Sequence, residues 1–187
     1  MKKYFFSFLI LFLIFSSTAL AESEIPVTET NTYYDIHGNT LDQLFSEMHH
    51  KSGHTFGAAF TDWRVSWMAD RVQTPEGFKV TKSNTKLIIT YRYPRWTDEA
   101  QASAELRKKW AAYCKAVIIH EKGHGAIAME AAREVDKAVM AVKPEKYVQS
   151  LDGRVSVAGN KVLKEYRKKE EDYDRVTRFG QKQGATF

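Results

Sequence analysis

From Thr97 to Lys143 the chain carries no proline, and its apolar residues recur at helical spacing throughout. A helix of that length needs other elements to cover its apolar face, so this segment constrains the fold more than any other. With His120 set at zero around the helix, Tyr113, Val117, His124, Ala131 and Val135 fall within ~60° of it. Lys122 falls near ~200°, towards solvent. The pattern predicts either one very long helix or one interrupted near Gly123-His124-Gly125. Thr97 is placed to cap it, with Asp98 and Glu99 in its first turn, where carboxylates favour the positive end.

His120 and His124 therefore lie on the stripe that the helix buries, and His120-Glu121-Lys122-Gly123-His124 reads H-E-x-x-H. Two histidines four residues apart sit about 40° apart around a helix and about 6 Å apart along it, so both imidazoles reach one metal ion. The glutamate between them projects to one side, where it can activate a metal-bound water. The bland reading makes them two core histidines bonded to neighbours, with Glu121 facing water. Burying two imidazoles is costly unless something satisfies them, and a metal ion does so. Gly123 leaves room for a substrate backbone, whereas Lys122 is a charge where zinc-peptidase helices prefer none.

Spacing alone supplies no third ligand. Glu130 holds the offset of the last ligand in H-E-x-x-H-x-x-G-x-x-H enzymes, but Ile127 stands where those have the bending glycine, so an unbroken helix turns Glu130 away. Glu134 is on the correct face but about 21 Å along the axis. A residue from another element has to close the site: Asp174 or Glu170 on the last helix, or His49, His50 or His54. Those three histidines also read as ordinary cations at a helix C-terminus. The sole cysteine, Cys114, lies off the histidine face and cannot form an internal disulfide.

The remainder of the chain frames that helix. Lys2 and Lys3, an apolar run from Tyr4 to Phe15 and Ala19-Leu20-Ala21 before Glu22 read as a cleavable signal peptide over residues 1–21. The run falls short of the ~20 residues that span a bilayer, so stable membrane insertion after cleavage is not expected. Residues 22–31 read as a polar tether and 32–187 as one domain. Taking Lys2 and Lys3 from the 28 basic residues leaves a net charge near +3 against 23 acidic ones, too little to argue for a nucleic-acid partner.

Thr32 to Ile36 reads as a strand, and Thr40-Leu41-Asp42-Gln43 as a capping box opening a short helix. Phe56, Ala58 and Phe60, then Trp63, Val65 and Trp67, alternate with period two around an expected bulge at Thr61-Asp62. Phe78–Lys82 and Lys86–Tyr93 read as strands joined by a tight turn at Ser83-Asn84. A charged last helix is expected from about Arg154 to Arg178, ended by Gly180, with Glu165 and Lys169 paired along it.

Several of these segments together resemble a family of uncharacterised secreted proteins of Gram-negative bacteria, described as zinc-dependent proteases from their motif. The resemblance rests on Tyr33-Tyr34-Asp35-Ile36 with Gly38 and Thr40, on Thr61-Asp62-Trp63 with Trp67, and on Pro94 with Trp96. It continues through His120 to His124 with Ala126-Ile127-Ala128, and ends in Tyr173 to Gln181. It implies a zincin-like fold and a periplasmic or secreted location. The family's last motif reads Tyr-Asp-x-x-Thr-x-His-Gly, and this chain has Phe179 at the histidine. A phenyl ring cannot bind zinc, so Asp174 or another residue takes that place, or the site is degenerate.

The expected fold is α+β: a small, largely antiparallel sheet packed on long helices, zincin-like, with the motif on one of them. The expected function is an exported zinc metallopeptidase acting on a peptide or protein substrate. His120 and His124 hold Zn²⁺ and Glu121 is the general base. The alternative is a non-catalytic exported module of the same shape with a degenerate metal site.

Overall fold

The computed structural model describes residues 24–52 and 58–186. The expected signal peptide, Phe56 and His54 lie outside them. Five strands, β1 (Val27–Ile36), β2 (Phe60–Ser66), β3 (Ala69–Thr74), β4 (Gly77–Ser83) and β5 (Lys86–Trp96), combine with three helices, α1 (Leu41–Lys51), α2 (Ala104–Met140) and α3 (Val148–Thr177). The fold is α+β. β5 is central in a three-stranded sheet, parallel to β1 and antiparallel to β2, while β3 and β4 form a separate antiparallel hairpin.

α2 is the long helix, and it runs for 37 residues without interruption through both glycines. Its stripe from Leu106 and Trp110 through Val117, Ala128, Ala131, Ala132 and Val135 to Val139 is buried. That stripe covers the inner face of the sheet, where Leu87, Ile89, Tyr91 and Tyr93 of β5 and Trp63 and Val65 of β2 alternate inward. Gly125 permits the closest approach: a Cβ there would lie 2.0 Å from the Tyr91 hydroxyl. On the far side Gly159 of α3 does the same for Trp67, whose ring would be 2.4 Å from an added Cβ.

Thr40 caps α1 as expected, accepting from the Gln43 amide at 3.3 Å, but the Gln43 side chain reaches back to the Asn39 amide, at 2.7 Å, rather than to that of Thr40. Other boundaries move. β1 starts at Val27, inside the expected 22–31 tether, because parallel pairing with β5 satisfies its backbone from Leu87 onwards. The bulge at Thr61-Asp62 is absent, and β2 keeps an unbroken register against β5.

Ser83-Asn84 is not a hairpin turn between paired strands. β4 pairs back with β3, a strand that the mostly exposed segment Ala69–Thr74 gave no apolar alternation to reveal. Thr97 does not cap α2 either. A single 3₁₀ turn, Glu99–Gln101, intervenes, and Ser103 is the cap, accepting from the Leu106 amide at 3.2 Å. α3 begins at Val148 rather than Arg154. Among the described residues, no helix is long and apolar enough to cross a membrane.

Candidate metal centre

Because α2 buries its histidine stripe, both rings are held between the sheet and α3, with His120 6% and His124 8% exposed. The rings stand edge to face with centroids 4.9 Å apart. α3 crosses them and delivers Asp174, whose Oδ1 lies 3.1 Å from His120 Nε2 and 2.9 Å from His124 Nε2. Ligand atoms of these three residues all lie within 4.8 Å of one another. Two imidazoles and a carboxylate converging in this way are a donor set that can hold a metal ion.

The outer nitrogens are held as well. His124 Nδ1 is 3.4 Å from Glu170 Oε1, which also accepts from Trp63 Nε1 at 2.6 Å. Arg167 donates to Glu170 Oε2 at 3.1 Å and to the Trp63 carbonyl at 3.0 Å, its guanidinium stacked 3.8 Å over the Trp63 ring. Glu170, one of the sequence candidates for the third ligand, therefore faces the nitrogen of His124 that points away from Asp174. A carboxylate there orients the ring and raises its basicity.

Glu121 is 4% exposed, so it does not face water as the bland reading required. Its Oε2 accepts from Thr61 Oγ1 of β2 at 2.7 Å. Burial raises its pKa, partly offset by the Thr61 hydrogen bond and the two imidazoles. It lines a cleft of about 720 Å³ together with both histidines and Asp174. The other walls mix apolar side chains, Phe45 and Met48 of α1, Phe60 of β2, Val117 of α2 and Phe179, with polar ones, among them Arg167 and Glu171 of α3.

The remaining sequence candidates go elsewhere. Glu130 pairs with Lys169, which displaces the expected Glu165–Lys169 pair, and Glu134 holds Lys137 at 2.9 Å. His50 donates to the Ser46 carbonyl at 2.7 Å, and His49 lies exposed on the cleft wall. Burial pushes the Cys114 thiol up to about 12, so it offers no thiolate. Lys122 reaches the surface as expected, bound to Glu29 at 2.6 Å and 3.9 Å over the Tyr91 ring. Gly123 makes no room for substrate, because the Tyr173 hydroxyl would be 2.0 Å from a Cβ there. Gln183 had no signal in the sequence, and Thr61 stood out only in the resemblance and as a bulge: each is a polar residue whose partner lies roughly 60 positions away.

The metal-free cluster is strongly paired. Burial alone would lower the His124 pKa, but Asp174 and Glu170 push it up to about 9. Burial would raise Asp174, but hydrogen bonds from both imidazoles hold it well below the usual carboxylate range. The raised histidine contributes stability that is complete below its ordinary 6.5 and is lost as pH rises through about 9. The lowered carboxylate contributes above its ordinary 3.8 and loses its share as pH falls below that. Metal-free protein is thus expected to melt highest between about pH 4 and 6.5 from this cluster, and to lose melting temperature from 6.5 to 9. On the reading that these rings bind zinc, the ion displaces the proton on His124, and its stabilising increment is expected to grow over the same interval. Melts in chelator and in zinc across pH 6–9 check both slopes, and parallel curves would refute the assignment.

An α+β domain in which one buried helix, one sheet strand and one crossing helix gather two histidines and three carboxylates into a cleft is the class that this geometry defines. The chain belongs to a bacterial protein family of unknown function (DUF922), whose profile matches residues 31–181. No curated protein and no solved structure matches it.

Proposed function

We propose that this protein is an exported zinc-dependent peptidase with a zincin-like site, in which His120, His124 and Asp174 bind the metal and Glu121 is the general base. The observation that carries the reading is the convergence of both Nε2 atoms on one Asp174 oxygen, beside a buried carboxylate and at an open cleft. Export, to the periplasm or beyond the cell, rests on the leader at residues 1–21.

Zinc, when bound, supplies Lewis-acid polarisation of a carbonyl and makes water more acidic. The protein's own part follows from its contacts. Thr61 holds Glu121 Oε2 and leaves Oε1 free to take the proton of the attacking water. Burial raises the basicity of that carboxylate, and the same carboxyl then returns the proton to the leaving amine. The apolar side chains of Phe45, Phe60 and Phe179 in that cleft suit an extended peptide with bulky apolar side chains.

A second reading is favoured by one observation. Asp174 already bridges both imidazoles, so the cluster can stand as a buried ion pair in a non-catalytic module, with Phe179 where the resembling family has histidine. Metal analysis separates the two. Purified mature protein is expected to hold about one zinc per chain, lost in His124→Ala. Wild-type protein that stays metal-free after zinc loading and dialysis would leave only the second reading.

A further inference from the structure

After α3 the chain turns back on itself. Arg178, Phe179 and Gly180 all take positive φ, at 51°, 51° and 81°, and the Phe179 amide bonds to the Asp174 carbonyl at 2.9 Å. Two non-glycine residues in the left-handed region are a cost that the segment after them must offset. That segment contains a 3₁₀ turn, Gln181–Gln183, laid against the metal-binding helix. Gly180 seats it, since a Cβ there would lie 3.1 Å from His120 Cβ.

Gln183 is the product of this turn. Its Oε1 lies 3.0 Å from His120 Nδ1, and its Nε2 donates to the Tyr173 hydroxyl at 3.1 Å. Tyr173 in turn donates to the His120 carbonyl at 3.2 Å and stacks on the His120 ring, centroids 5.1 Å apart at 10°. The hydroxyl's one proton goes to the His120 carbonyl rather than to Gln183 Oε1, which is farther at 3.5 Å. The amide nitrogen therefore faces the hydroxyl, and the amide oxygen facing the ring requires a proton on Nδ1. Nε2 is then the atom left to face Asp174 and His124. Thr177 Oγ1, the other oxygen near Nδ1, is farther at 3.5 Å and donates to the Tyr173 carbonyl at 2.7 Å.

We propose that Gln183, which lies beyond the segment matched by the family, is the positioning residue that fixes the His120 ring with Nδ1 protonated and Nε2 directed at the metal position. This rests on the metal reading above, but its geometry is testable without metal. Gln183 touches neither metal nor substrate in this role. It acts through His120, as the partner of a metal-ligating histidine does, and losing such a partner typically weakens metal binding about 10–100-fold.

The test uses full-length mature protein, ¹⁵N-labelled at histidine, as wild type, Gln183→Leu and Gln183→Glu. Ring ¹H–¹⁵N correlations report which nitrogen of His120 is protonated, with and without zinc, and chelator competition gives zinc affinity. Wild type is expected to show a protonated Nδ1 in both states. Gln183→Leu is expected to bind zinc at least tenfold more weakly, with a lower melt in chelator because Nδ1–H loses its acceptor. Gln183→Glu, which keeps an acceptor, restores most of that affinity. An unprotonated Nδ1 in wild type, or Gln183→Leu binding zinc within twofold of wild type, overturns the proposal. If wild type binds no zinc, the metal reading fails by itself, and the Nδ1 proton in metal-free protein still decides the positioning claim.

Discussion

Glu121→Gln is expected to keep about one zinc per chain while peptide hydrolysis falls by about 10²–10⁴-fold. The amide is isosteric, and Thr61 Oγ1 can still donate to its oxygen across the 2.7 Å now spanned to Oε2, so packing in this 4%-exposed position is preserved. What disappears is the ability to take a proton. The comparison requires metal content and turnover on an unstructured protein substrate from the same preparations. Equal activity in both proteins would end the peptidase claim, and equal inactivity with full zinc occupancy would make the site a structural metal centre.

Asp174→Ala is expected to have the largest effect on the site as a whole. It removes the carboxylate on which both Nε2 atoms converge, so zinc affinity should drop by two orders of magnitude or more. In metal-free protein it also takes the nearer of two counter-charges from His124, whose side chain is only 10% exposed, and leaves Glu170 at 3.4 Å. Removing one partner of a buried pair costs about 3–5 kcal/mol, and Asp174 is itself partly exposed, so the lower figure applies. Denaturant unfolding in chelator measures this. The same variant should make the melting profile between pH 6.5 and 9 shallower, because one of the two carboxylates that raise His124 is gone while Glu170 remains. Wild-type zinc affinity in Asp174→Ala would show that the ligand set is wrong.

What the sequence disclosed follows a simple physical division. Features carried by one continuous segment were legible: the buried stripe of α2, the two histidines on it, the exposure of Lys122, and the Thr40–Gln43 cap. Each depends on helical periodicity or on a bond between residues three or four apart. Features that depend on which segments meet were not. β3 is mostly exposed, so its residues carry no alternation, and only pairing with β4 makes it a strand. Thr61 read as a bulge because an intervening polar pair looks the same whether the strand bends there or turns a hydroxyl towards a carboxylate. Asp174 and Glu170 could be nominated from the sequence, but only the crossing of α3 over α2 separates their roles: one beside both Nε2 atoms, the other behind a ring.

One arrangement has a mechanical consequence. Two neighbouring inward contacts on β2 hold two different carboxylates: Thr61 grips Glu121, and the Trp63 indole grips Glu170. β2 is also the outermost strand of its sheet, bonded to β5 on one side only. A displacement of that rim reaches Glu121 through the Thr61 hydroxyl and Glu170, behind His124, through the Trp63 indole. The position of the buried carboxylate and the alignment of the ring therefore both depend on a single strand.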